Sequence, residues 1–119
     1  MDELLKRIKK FRNDRDWEQF HTPENLAKSI IIEAGELLEN FQWNGEYDRE
    51  NVMDELADVM NYCFLLADTL DIDMIENMHR KIDQNEKKYP ADLVRGSSKK
   101  YTEYKKKAGK INEKRSERT

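Results

Sequence analysis

Two runs of otherwise core-type residues each carry a pair of acids three positions apart, and this placement narrows the folds open to the chain. Glu33-Ala-Gly-Glu36 follows Ile30, Ile31 and Ile32 and precedes Leu37 and Leu38; Glu55-Leu-Ala-Asp58 precedes Val59 and Met60. At i, i+3 on a helix, both carboxylates of a pair project from one face. A carboxylate on a core-facing stripe is costly unless a cation or a donor compensates it. Four converging carboxylates would repel one another, and a hard divalent cation is the simplest remedy. The expectation is an all-α fold in which two helices bring these acids together.

Composition supports helices over a sheet. Four Gly and two Pro among 119 residues leave few breakers, and charged residues (39%) outnumber hydrophobic ones (37%). That mix suits amphipathic helices and leaves a thin core, so self-association as a homodimer or homotetramer is expected to complete it. The formal net charge of −3 argues against a specific nucleic-acid binder. No apolar run approaches the ~20 residues needed to span a membrane. Met1–Arg15 is a charged amphipathic pattern rather than a signal peptide, and Cys63 is the single cysteine, so a reducing cytoplasm is the expected setting.

Local signals divide the chain into four helices. Leu4, Leu5, Ile8 and Phe11 recur at helical spacing, and Asp14–His21 reads as an irregular, aromatic-bearing connection. Thr22-Pro23-Glu24 combines a capping hydroxyl, a proline at the first helical position and an acid at the positive dipole end. The second helix is predicted from Pro23 to Gln42, burying Leu26, Ile30, Ala34, Leu37 and Phe41, with Trp43-Asn44-Gly45 ending it. Asp48 is the expected cap of a third helix reaching Thr69, with Val52, Leu56, Val59, Cys63 and Leu66 as its stripe. Asp71 is the expected cap of a fourth, with Ile75, Met78 and Ile82 as its apolar stripe and Tyr89-Pro90 as its stop. Residues 1–101 form the predicted domain. The basic stretch 102–119 has little to bury and reads as a disordered tail.

The short turn between the second and third helices makes them antiparallel neighbours, and folding back there sets Glu33/Glu36 level with Glu55/Asp58. Oxygen-only ligands suit Mg²⁺, with Mn²⁺ as a substitute. Mg²⁺ is commonly shared with substrate phosphates, so phosphoanhydride hydrolysis is the expected chemistry. A different metal reading starts from Glu18-Gln-Phe-His21 and Glu76-Asn-Met-His79, each a Glu-x-x-His of the kind found in di-iron bundles. The order along the chain is wrong for that class, and His21 directly precedes the helix start Thr22-Pro23, so the first motif is not expected on a continuous helix. A third reading leaves the acids solvated on a non-enzymatic helical interaction module.

The chain resembles the all-α nucleotide pyrophosphohydrolases of the MazG-like superfamily, whose signature pairs Glu-x-x-Glu with Glu-x-x-Asp. It is similar in particular to the dCTP pyrophosphatase branch. The similarity rests on Asp16-Trp-Glu-Gln-Phe-His21 with Pro23 and Asn25-Leu26, on Phe41-Gln-Trp43, on Glu55-Leu-Ala-Asp58-Val59 with Tyr62, and on Tyr89-Pro90 before Arg95-Gly-Ser97. The broader signature begins with two adjacent acids, and Ile32 stands where the first would fall.

The resemblance implies a four-helix bundle completed by subunit association. The implied reaction is Mg²⁺-dependent conversion of a nucleoside triphosphate to the monophosphate and pyrophosphate. Glu33, Glu36, Glu55 and Asp58 would hold the metal, with Glu33 or Glu36 as base. His21 and Trp43 match positions that approach the nucleobase. Tyr62, Lys81, Asn85 and Tyr89 match positions that contact phosphate or sugar, and Arg95 and Ser97 lie in a segment that helps close the site. Taken alone, Lys81 reads as an ordinary surface lysine, and Trp17 and Trp43 read equally as packing residues or as platforms on which a base could stack.

Overall fold

The structure is a computed structural model and describes residues 2–43 and 45–96. Among these, every regular element is helical: α1 (Asp2–Asp14), a 3-10 turn (Glu18–Phe20), α2 (Pro23–Glu39), α3 (Arg49–Thr69), α4 (Met74–Lys88) and a single-turn α5 (Ala91–Val94). The all-α expectation holds, with α5 as an addition to the four helices predicted. Ser97 and the stretch 102–119 lie outside the described residues. The chain divides after Met74 into two compact units; α1 to α3 form the first, and α4 (beyond Met74) with α5 falls in the second.

The predicted start signals act as read. Thr22 accepts a hydrogen bond from the Asn25 backbone N–H at 3.1 Å, and Pro23 opens α2. The Asp48 side chain accepts from the backbone N–H groups of Glu50 and Asn51 at 3.0 and 3.3 Å and starts α3.

Two ends differ from expectation. α2 stops at Glu39, three residues before Gln42. The Asn40 amide donates to the carbonyls of Leu37 (3.2 Å) and Glu36 (3.4 Å), and its oxygen accepts from Asn51 Nδ2 at 2.6 Å. This satisfies the last carbonyls of α2 and ties them to the first turn of α3. Phe41, expected on the buried face, lies outside the helix, 46% exposed, with its ring tilted against Tyr47 at 4.9 Å. Asp71 does not begin α4. It sits at φ 56°, a left-handed position that Asp tolerates, in the turn that closes α3, and α4 starts at Met74.

The core of the first unit is small. Ile8, Leu26 and Leu65 form its buried cluster, with Tyr62, Phe64 and Leu66 packed on it, and Leu26 is fully buried. α1 is tied to the end of α3 by charge as well. Asp68 takes Lys9 at 3.4 Å and the buried Arg12 at 3.5 Å. The α2–α3 hairpin keeps much of its apolar surface uncovered within the chain: Ile31, Ile32 and Leu38 on α2, and Met53, Leu56 and Met60 on α3, are exposed.

Candidate active site

The hairpin does what the acid spacing predicts. Oxygens of Glu33 on α2 and of Glu55 and Asp58 on α3 all lie within 4.8 Å of one another. Two ligands on opposite sides of a Mg²⁺ ion stand about 4.2 Å apart, so the spacing fits one such ion with little adjustment. Glu36 completes the quartet by its proximity to both Glu33 and Glu55. None of the four is ion-paired among the described residues.

Crowding leaves an electrostatic mark. The Glu33 carboxyl is raised to about 7, first by sharing a hydrogen bond with Glu36, then by burial and by the charges of Glu36, Asp58 and Glu55. Glu55 is also raised, chiefly by burial and then by the Glu36 and Asp58 charges. In the ionised state, Glu33 Oε2 is enclosed with no donor. A proton shared with Glu36 or a cation is what this oxygen lacks. Carboxylate oxygens without sulfur or imidazole are a donor set for a hard divalent cation, and the grouped ligands include no histidine of the kind the di-iron reading requires.

Asp58 also borders a cavity of ≈ 470 Å³ between α1, the connection after it and α3. One face of α1 lines it (Arg7, Ile8 and Phe11), as does the matching face of α3 (Asp58, Tyr62 and Leu65), with Trp17 and His21 from the connection. The volume suits a small organic ligand. The aromatic wall is held in place. Trp17 meets the Phe11 ring edge-on at 5.8 Å, and Arg15 lies 3.7 Å over that ring while donating to the Phe11 carbonyl. The backbone reverses at Asp16, φ 55°, which lets the Trp17 N–H return to the Arg12 carbonyl at 3.1 Å. His21 stands edge-on to Tyr62 at 6.5 Å. Burial and then the Arg12 charge hold its imidazole below the usual range, against a smaller pull from Glu18, and its Nδ1 is buried without a partner. The Tyr62 hydroxyl is pushed up by burial and by the charges of Glu33 and Asp58.

Of the residues singled out from sequence, the structure brings together the four acids and sets Tyr62 and His21 beside Asp58 on the cavity wall. Trp43 is 84% exposed and is not among the cavity-lining residues. Lys81, Asn85 and Tyr89 lie at i, i+4, i+8 of the second unit, where the Lys81 ammonium donates to Gln84 and the Tyr89 N–H to the Asn85 carbonyl. The exposed Arg95 follows α5 and closes its turn on the Ala91 carbonyl. Sequence reasoning passed over Arg7 and Phe11 as cavity residues and treated Trp17 as packing. The signal was the parallel spacing of Leu4, Arg7, Ile8 and Phe11 with Asp58, Asn61, Tyr62 and Leu65.

Known proteins match this chain in sequence and in fold. The MazG-like family model matches residues 28–104, and the chain belongs to the MazG-like family. It is 39% identical over 113 residues to dCTP pyrophosphatase 1 of Homo sapiens and 35% identical to that of Mus musculus; each alignment covers 87% of this chain and 66% of the relative's length. A crystal structure of a pyrophosphatase from Archaeoglobus fulgidus DSM 4304 superposes with a TM-score of 0.69 at 45% identity, covering 76% of this chain and 92% of the other.

Proposed function

We propose that this protein is a nucleoside triphosphate pyrophosphohydrolase. It converts a (d)NTP, with dCTP or a modified pyrimidine dNTP as the favoured substrate, to the monophosphate and pyrophosphate, and so clears non-standard or surplus nucleotides. The observation that carries this reading is the uncompensated acid quartet, one member of which, Asp58, also lines an aromatic cavity. The relatives named dCTP pyrophosphatase 1 support the substrate class.

Glu33, Glu36, Glu55 and Asp58 would hold Mg²⁺, or Mn²⁺ in its place. When bound, the ion supplies charge neutralisation at the phosphates and an acidified water. The base enters the cavity between Trp17, His21 and Phe11, which leaves the triphosphate at Asp58. Water attacks the α-phosphorus, Glu33 or Glu36 accepts its proton, and the bond to the bridging oxygen breaks to release pyrophosphate. Trp43, Lys81, Asn85, Tyr89, Arg95 and Ser97 are proposed as further substrate contacts, and residues 1–101 as the working domain.

Assembly as a homodimer or homotetramer is supported by the small core and by the exposed apolar residues of the α2–α3 hairpin. No helix among the described residues is long and apolar enough to cross a membrane. A lone cysteine supports the cytoplasm as the proposed setting.

The test is incubation with dNTPs, including modified ones, and Mg²⁺, followed by product identification. Monophosphate plus pyrophosphate is the expected pair. Diphosphate plus orthophosphate would assign another phosphohydrolase mechanism and sink this one.

A further inference from the structure

Arg15 stands behind the aromatic wall of the cavity. Phe11 and Trp17 line that wall and Arg15 does not. The Arg15 guanidinium lies 3.7 Å over the Phe11 ring, which Trp17 meets at 75° with centroids 5.8 Å apart. Phe11 is 52% exposed and Trp17 43% exposed, so packing alone leaves both rings room to change rotamer. A cation seated on one face of Phe11 fixes the plane of that ring, and this plane decides where the indole can rest.

The backbone beneath is held without this side chain. The backbone N–H groups of Trp17 and Arg15 both return to the Arg12 carbonyl, at 3.1 and 3.3 Å. The Gln19 amide donates to the carbonyl and to the carboxylate of Asp16, each at 3.0 Å. The Arg15 side chain is anchored by a 3.0 Å bond to the Phe11 carbonyl, in the last turn of α1. Capping that carbonyl is a role any donor at the helix end could fill. Stacking on the ring is the role that reaches the cavity.

We propose that Arg15 is a positioning residue for substrate binding: acting through Phe11, it sets the Trp17 indole as a wall for the nucleobase before the ligand arrives. A wall ordered in advance spares the ligand the entropy loss of ordering it, so the effect falls on binding. The acids that would hold the metal lie on α2 and α3, and the chemical step does not use Arg15. This inference rests on the pyrophosphohydrolase reading given above, in which the base enters beside Trp17.

The test compares the unchanged full chain with Arg15→Ala and Arg15→Lys by three readouts: calorimetric affinity for dCMP with Mg²⁺, kcat for dCTP, and nuclear relaxation of the Trp17 indole N–H in the free protein. In Arg15→Ala, affinity is expected to fall about two- to fivefold and the indole to become more mobile, while kcat and melting temperature hold. Arg15→Lys keeps a cation over the ring and is expected to restore much of both losses. A lower melting temperature with unchanged indole order would assign Arg15 to capping α1 and overturn the proposal. Unchanged affinity in Arg15→Ala, no recovery in Arg15→Lys, or no binding of dCMP to the unchanged protein would overturn it as well. Absence of dNTP turnover alongside an Arg15-dependent dCMP affinity would sink the hydrolytic reading alone.

Discussion

Asp58 and Asp68 lie on one helix, yet their surroundings are opposite. Asp68 is answered by two cations from α1, Lys9 and the buried Arg12. Asp58 is answered by more acid: Glu33 and Glu55 within 4.8 Å, and Glu36 beside them. The first arrangement is complete within the chain and joins two helices. The second has no counter-charge among the described residues, and on the proposed function a cation supplies it.

The sharpest way to break this contrast is to neutralise one member of each set. Glu36→Gln or Asp58→Asn is expected to lower dNTP turnover by about a thousandfold or more, with helical circular dichroism unchanged. Asp68→Asn is expected to leave turnover largely in place and to cost about 1–3 kcal/mol of stability, because it strands the buried Arg12. Retained turnover in the first two variants would remove the acid quartet from the mechanism.

The next largest effect is on pH dependence. The Glu33 carboxyl is raised to about 7 from 4.5, so the folded chain without a divalent cation holds extra proton between those values. Stability in EDTA is therefore expected to fall as pH rises through this window. Mg²⁺ replaces the missing positive charge, so its stabilising shift in melting temperature is expected to be larger at pH 8 than at pH 5. A shift independent of pH would show that the cation does not bind at Glu33.

The smallest effect concerns the joint that sets the hairpin. Asn40→Ala removes the contacts to Leu37, Glu36 and Asn51. The expected loss is about 1 kcal/mol in denaturant melts, with turnover falling less than in any acid variant.

What could be read in the sequence was what is local. The Thr22 and Asp48 caps depend on atoms within three residues, and the acid pairs on helical periodicity, so both were legible. The end of α2 was not, because it is decided partly by Asn51, eleven residues away, which holds the Asn40 amide. Asp71 looks like a cap by residue type, and only the closing turn of α3 assigns it the left-handed position. The cavity was the least legible feature. Arg7, Phe11 and Trp17 acquire meaning when α1 is laid along α3, a pairing set by Ile8, Leu65 and Asp68 far apart in the chain.

Leu26 is the largest side chain sealed completely inside the described chain, while Ile31, Leu38 and Met53 stand more than half bare. On the proposed assembly, that imbalance makes thermal denaturation obey mass action: dilution lowers the melting point and concentration raises it. Replicate scans at a single protein concentration would then sample one point on a sloping line, and the slope itself would report how many copies come apart as the chain unfolds.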